Sequence, residues 1–138
     1  MRDGRSVTAG LLVLIAAGPL AACGTPSADL FLVDRTGSIP GAKLNMLVGD
    51  GGTIRCNGVT GRPLDSKELI DARTLTRDLN ELGPLVLKAR PASSLSYTVT
   101  VEAGEIRFAD NSAGRAAPLD RLALFVRRTA KGKCGLAR

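Results

Sequence analysis

A charge-free apolar segment near the start of the chain limits how much of it can enter a folded domain. Arg2 and Arg5 precede this segment, which covers residues 6–22 and ends in small residues before Cys23. A basic start, an apolar stretch and a small-residue end are typical of a secretory signal peptide. Residues 1–22 are therefore predicted to be a removable leader.

A transmembrane helix or a buried core helix is the alternative for this segment. It has 17 residues without a charge and is interrupted by Gly10, Gly18 and Pro19. A spanning helix needs roughly 20 consecutive apolar residues. The length therefore favours a leader.

The last leader residues and the cysteine that follows, Leu20-Ala21-Ala22-Cys23, resemble the lipobox of bacterial lipoproteins. The resemblance implies that the Cys23 thiol carries a diacylglycerol and becomes the new N-terminal residue. Ordinary secretion, which needs only small residues before the cut, is the alternative. Two acyl chains on one residue anchor a protein stably. We therefore expect residues 23–28 to be a lipidated tether on the extracytoplasmic face of the cell membrane.

The part that remains after the leader is short and basic. Its 116 residues fit one small domain, predicted over residues 29–138. Without Arg2, Asp3 and Arg5, 17 basic and 12 acidic residues remain, a net charge of +5. Most of the excess lies after residue 114, where Asp120 is the one acidic residue. The basic residues there are Arg115, Arg121, Arg127, Arg128, Lys131, Lys133 and Arg138.

Two cysteines, Cys56 and Cys134, are left once Cys23 carries lipid. In an exported domain an even pair predicts a disulfide, and two buried free thiols are the alternative. Closing a loop this long contributes about 4–5 kcal/mol in the chain-entropy model. The chain contains no histidine, and two cysteines do not make a zinc tetrad. We expect neither a metal nor a cofactor.

Alternating and helical patterns divide the domain into seven elements. Asp65 and Glu68 have the spacing of a capping box and predict a helix that stops at Gly83-Pro84. A second helix is predicted to begin at Pro118, with Leu122 and Val126 on its buried side. Strands are predicted over residues 30–34, 43–48, 53–56, 95–101 and 106–109. The fold class is therefore α+β, an antiparallel sheet of about five strands with two helices on one face, in the order β-β-β-α-β-β-α.

Signatures of catalysis are sparse. Without histidine the chain lacks the commonest general base and the usual nucleophilic triads. Its acidic residues between Asp65 and Glu81 fall on the polar face of a helix, where solvated carboxylates are expected. One tyrosine and three phenylalanines offer little stacking surface for nucleic acid. We therefore predict a protein that is not an enzyme, binds no nucleic acid and acts as a monomer.

The second predicted helix has a basic side that could contact an anionic surface. Arg121, Arg128 and Lys131 lie opposite its apolar side. Lipid headgroups and wall polymers are anionic, and each basic residue near such a surface contributes about 1 kcal/mol. A solvated helix face without a partner is the alternative.

A glycine- and proline-containing connection is the candidate partner-binding loop, because such a loop can hold an exposed, rigid conformation. It consists of Arg35, Thr36, Gly37, Ser38, Ile39, Pro40 and Gly41.

The segments FLVDRTGSIPGA (residues 31–42) and YTVTVEAG (residues 97–104), with a closing helix that contains Leu119 and Leu122, resemble emfourin-type inhibitors of thermolysin-like metalloproteases. The chain also resembles lipoproteins of high-GC Gram-positive bacteria, a likeness that implies no activity. The first prediction of function is a membrane-anchored, non-catalytic binding module. The alternative is a surface-tethered protease inhibitor that uses the loop at residues 35–41.

Overall fold

The computed structural model describes residues 28–137. The predicted leader, the predicted lipidation site Cys23 and residues 24–27 of the predicted tether lie outside the described residues. The described chain forms strands and two helices, listed here in chain order. They are β1 (Asp29–Gly37), β2 (Leu44–Gly49), β3 (Ile54–Cys56), β4 (Val59–Thr60), α1 (Ser66–Leu82), β5 (Leu85–Val86), β6 (Leu95–Val101), β7 (Gly104–Ala109) and α2 (Ala117–Cys134).

The strands form one seven-stranded sheet in the order β4-β3-β2-β1-β6-β7-β5. Strand β1 lies at the centre and is antiparallel to both β2 and β6. The edge strand β5 is parallel to β7. The α+β class and the two helices are confirmed. The prediction of about five strands in a purely antiparallel sheet is wrong, because two short edge strands were missed and one of them is parallel to its neighbour.

Each missed strand has two residues, too few for a period-2 pattern to appear. Strand β4 follows Asn57 and Gly58, which both have positive φ (51° and 79°). Asn-Gly with positive φ at both positions is the type I′ hairpin turn, so this strand had a signal in the sequence. Strand β5 had no such signal in the sequence, because its pairing partner β7 lies about 20 residues further along the chain.

The helix ends follow the predicted local signals. At the start of α1 the Asp65 carboxylate accepts a hydrogen bond from the Glu68 backbone N–H, and the Glu68 carboxylate accepts one from the Asp65 backbone N–H, both at 2.8 Å. The helix ends before Gly83, as predicted. Helix α2 begins one residue before Pro118 and ends at Cys134, and the next residue, Gly135, has the left-handed conformation.

Both helices cover the same face of the sheet. Buried and exposed side chains alternate along β1, with Phe31 and Val33 inside and Asp34 outside. The helix side chains that join this core come from one side of each helix. They are Ala72, Leu75, Leu79, Leu119, Leu122, Phe125, Val126 and Ala130. The opposite face carries exposed polar side chains such as Asn45 and Thr100.

The predicted disulfide is confirmed. Cys56 at the end of β3 and Cys134 in the last turn of α2 are joined, with their Cα atoms 6.2 Å apart. Beside it, the Arg62 backbone N–H donates to the Lys133 carbonyl at 2.9 Å. The covalent bond therefore holds the end of α2 against an outer strand of the sheet.

Helix α1 lies over the end of the sheet at which the described chain begins, here called the Ala28 end. The Asp50 N–H in the turn after β2 donates to the Ala28 carbonyl at 2.8 Å. Arg73 of α1 donates to the carboxylate of Asp50 at 2.6 Å. Further along α1, the Asn80 side chain accepts a hydrogen bond from the Ala103 N–H in the turn between β6 and β7.

Helix α2 begins at the opposite end of the sheet, here called the Gly37 end. Gly37 of β1 pairs with Leu95 of β6. The Leu95 carbonyl accepts a hydrogen bond from the Asp110 N–H, and Arg115, just before α2, donates to the Asp110 carbonyl. Among the residues that the structure describes, neither helix has the length and apolarity needed to cross a bilayer.

Leu122→Ala tests the packing of α2 against the sheet. Leu122 is fully buried, so the substitution should lower the free energy of unfolding by about 2–5 kcal/mol through lost burial and cavity formation. The matched control is Leu124→Ala on the same helix, where the side chain is 42% exposed and the loss should stay within about 1 kcal/mol. Urea denaturation measures both. Equal losses would contradict the packing described above.

Candidate functional site

The candidate loop is shorter than predicted. Arg35, Thr36 and Gly37 belong to β1, and only residues 38–41 form the turn that follows. The turn is held at both sides by backbone hydrogen bonds. The Ser38 N–H donates to the Ser94 carbonyl, and the Ala42 N–H donates to the Ile39 carbonyl, each at 3.1 Å. The boundary at Arg35 is corrected to Ser38, while the role of the segment in binding stays a prediction.

Arg35 supports this turn from inside. Its side chain is 2% exposed and continues the buried side of β1. The guanidinium donates from Nε to the Ala42 carbonyl at 2.9 Å and from Nη2 to the Gly41 carbonyl at 3.0 Å. The prediction placed Arg35 in an exposed loop because the segment at residues 35–41 contains glycine and proline, and arginine is rarely fully buried. The bonds to the two turn carbonyls are among the contacts that make this burial tolerable.

Gly37 allows the turn to begin where it does. A Cβ atom at this position would lie 2.0 Å from the Ser94 carbonyl oxygen. No side chain fits at that separation, so the end of β1 can approach β6 this closely only with glycine.

A cleft opens between the Gly37 end of the sheet and α2, and we call it the Arg35 cleft. Its volume is about 390 Å³. Residues from β1, β6 and α2 and from the segment between β7 and α2 line it. They are Arg35, Leu95, Tyr97, Asp110, Asp120, Ala123, Leu124 and Arg127. The fold therefore brings the base of the predicted loop together with the basic helix, two features that were predicted separately.

Tyr97 is the aromatic wall of the cleft. Its ring stacks on Phe108 with the centroids 4.8 Å apart and the planes 7° apart. Burial raises the pKa of the Tyr97 hydroxyl above its ordinary value of 10.0. The hydroxyl is therefore neutral at physiological pH and can donate a hydrogen bond.

The two acidic residues of the cleft are already bound. The Asp110 carboxylate accepts hydrogen bonds from the Ser93 hydroxyl at 2.9 Å and from the Ser94 N–H at 3.2 Å. Asp120 pairs with Arg115 at 2.9 Å. Arg127, at the rim, makes no hydrogen bond or ion pair with another residue in the range 28–137. The rim therefore carries a positive charge that the described chain does not neutralise.

The predicted basic face of α2 is only partly available. Arg121, Arg128 and Lys131 are exposed. Arg121, however, donates to the Asp78 carboxylate of α1 at 2.5 Å. Within the described part of the chain, Arg128 and Lys131 form no ion pair. Arg127 is not in the predicted set, and its position beside Arg35 of β1 and Tyr97 of β6 depends on the packing of α2 against the sheet.

A second depression, here called the helix groove, separates α1 from α2. Its volume is about 220 Å³. Side chains of the two helices line it, and they are Asp71, Thr74, Leu75, Arg121, Leu124, Phe125 and Arg128. Leu124 lines both the helix groove and the Arg35 cleft, so it forms the ridge between them.

A wider depression of about 700 Å³ lies beside the disulfide, between the β3–β4 hairpin and the end of α2. Its charged side chains are in use, because Arg62 donates to the Gly132 carbonyl and Lys133 pairs with Glu68 at 2.8 Å. On α1, Asp71 is similarly bound to Lys67. The described residues contain no cluster of acidic or cysteine side chains that could hold a metal ion.

Comparison with models of protein families, with curated proteins and with solved structures finds no match to this chain. The candidate site of this chain is therefore defined by its own geometry, which consists of the Arg35 cleft, the turn at residues 38–41 and α2.

The ion pair between the helices is tested by Asp78→Asn. The hydrogen bond from Arg121, with a further contribution from Arg77, lowers the pKa of Asp78 below its ordinary value of 3.8. A lowered pKa stabilises the fold above the unfolded pKa, and this stabilisation is lost as the pH falls through the folded pKa. The variant should therefore melt below the wild type at about pH 7, and the difference should vanish at about pH 2.

Thermal unfolding followed by circular dichroism measures this difference. Asp71→Asn is the control, because the Asp71–Lys67 pair is exposed on one helix and contributes little. A difference for Asp78→Asn that is independent of pH would contradict the role of its charge.

Proposed function

We propose that the protein is a lipid-anchored binding module on the extracytoplasmic face of the membrane, without catalytic activity. The lipobox-like segment before Cys23 supports the anchor. The disulfide suits an oxidising compartment outside the cytoplasm. The observation that carries the binding role is the Arg35 cleft, an open depression with an aromatic wall and a rim cation that has no partner in residues 28–137.

The position of the tether supports this role. Residues 24–28 extend at most about 17 Å, so an anchor at Cys23 holds the Ala28 end of the sheet near the membrane. The Arg35 cleft lies at the Gly37 end, because Arg35 pairs with Tyr97 and Gly37 with Leu95 there. An anchored domain would thus present the cleft and the turn away from the lipid.

Cys23→Ala tests the anchor. Removing the thiol should abolish labelling by a radioactive or clickable fatty acid, and the protein should be released or should remain as unprocessed precursor. Cys56→Ser with Cys134→Ser is the control, because it removes two other thiols and should leave labelling intact. Normal membrane retention of a Cys23→Ala protein of mature length would contradict the proposal.

Protease inhibition is a second candidate function, supported by the turn at residues 38–41. Ser38, Pro40 and Gly41 are exposed, and the turn is held by Arg35 from inside and by Ser94 from β6. A rigid exposed turn loses little conformational entropy when it enters a protease cleft. The emfourin-like segment includes this turn.

An inhibition assay against a thermolysin-like protease tests this candidate. The protein should inhibit at about micromolar concentration or below, and Ser38→Asp with Pro40→Asp should weaken inhibition by about tenfold or more. A matched change, Ala113→Asp in the exposed turn before α2, should leave inhibition unchanged. No inhibition by the wild type at micromolar concentration would exclude this function and leave the binding module standing.

A further inference from the structure

Leu124 is an exposed apolar side chain between two depressions. It is 42% exposed and lines both the Arg35 cleft and the helix groove. Arg127 and Arg128 follow it by three and four residues, which places them one turn further along the same side of α2. Arg127 lines the Arg35 cleft and Arg128 lines the helix groove. The apolar side chain of Leu124 is thus flanked by Arg127 in the Arg35 cleft and by Arg128 in the helix groove.

These cations differ from the other basic residues of the C-terminal region. Arg115, Arg121 and Lys133 are paired with Asp120, Asp78 and Glu68. Arg127, Arg128 and Lys131 form no ion pair with any residue that the structure describes. The positive charge of α2 that forms no ion pair in the described chain is therefore concentrated beside Leu124. We call Leu124, Arg127, Arg128 and Lys131 the Leu124 surface.

Other exposed apolar side chains lack this combination. Val59 and Val86 lie on the two-residue edge strands β4 and β5. Ile70 lies on α1, between the members of the Lys67–Asp71 ion pair. Val59 also lines the depression beside the disulfide, but Arg62 and Lys133 there are already bound. At the Leu124 surface, depressions on both sides leave room for a partner's side chains next to cations that form no ion pair in the described chain.

The Leu124 surface is also turned away from the anchored end. Helix α1 is the helix bonded to the turns at the Ala28 end, through Arg73 and Asn80. Helix α2 lies beyond it, and its residues Leu124 and Arg127 share a cleft with Arg35 and Leu95 at the Gly37 end. A lipid surface at the Ala28 end would thus meet α1 first.

We propose that the Leu124 surface docks an acidic peptide segment of another envelope protein, with an apolar side chain of that segment packed against Leu124. The inference rests on the proposed function and names the partner class. Charge complementarity points to an acidic partner, and guanidinium groups can bind carboxylates through two parallel hydrogen bonds. The apolar ridge favours a peptide over an anionic polymer, which has no apolar side chain to place there. Arginine and apolar contacts at the centre of an interface often dominate its affinity.

Selection from a display library of random peptides about 12 residues long, against the full-length protein in mild detergent, tests the proposal. The enriched peptides should combine several Asp or Glu residues with a Leu, Ile or Phe. Arg127→Gln with Arg128→Gln should weaken the binding of these peptides by about tenfold or more. Leu124→Ala should also weaken peptide binding by about tenfold or more, at both low and high salt. Fluorescence anisotropy with a labelled selected peptide measures the change.

The chain provides matched controls. Arg55→Gln with Arg90→Gln removes the same charge from exposed positions outside α2, and Ile70→Ala removes an exposed apolar side chain from α1. Each control should change affinity by less than about twofold.

Several outcomes would overturn the proposal. They are the absence of enriched peptides, enriched peptides without acidic residues, and binding that the α2 variants leave unchanged. Selected peptides that depend on residues 38–41 instead would overturn the Leu124 surface and leave the binding module intact. Binding to phosphatidylglycerol vesicles that exceeds peptide binding and is lost in the double arginine variant would assign the surface to lipid.

Discussion

Burial of one face of the sheet under α1 and α2 is the constraint on which the other features depend. Strand β1 is central to it, because its inward side chains Phe31 and Val33 meet both neighbouring strands and the helices. A sheet covered on one side alternates buried and exposed residues along each strand. The exposed face is polar, and the Arg35 cleft and the helix groove lie beside the helices and at the end of the sheet.

The same alternation explains Arg35. It occupies the third inward position of β1, where the sheet ends and the core gives way to the turn at residues 38–41. The aliphatic part of an arginine can pack as an apolar chain while its guanidinium reaches polar groups. Here the guanidinium reaches the carbonyls of Gly41 and Ala42. Arg35 thus packs at the end of the core and stabilises the turn through its hydrogen bonds.

The antiparallel packing of the two helices divides the basic residues of α2 into two groups. Arg121 and Lys133 pair with Asp78 and Glu68 of α1, whereas Arg127, Arg128 and Lys131 form no ion pair in the described chain. The acidic residues that line the two depressions with them, Asp71, Asp110 and Asp120, are bound to other partners. The net charge of a basic region therefore says little about its surface. What a partner meets is the charge that remains after internal pairing, and this is concentrated around Leu124.

Local signals in the sequence determined much of the fold. Some signals depend only on neighbours within a few residues, and they are the capping box at Asp65, the helix end at Gly83 and the alternation in residues 95–101. The disulfide was also predictable, because Cys56 and Cys134 could pair only with each other once Cys23 was set aside. Tertiary structure alone decided the parallel strand β5, the burial of Arg35 and the pairing of Arg121 with Asp78. Each of these depends on groups brought together from distant parts of the chain, and a pattern of neighbouring residues cannot report which distant group lies opposite.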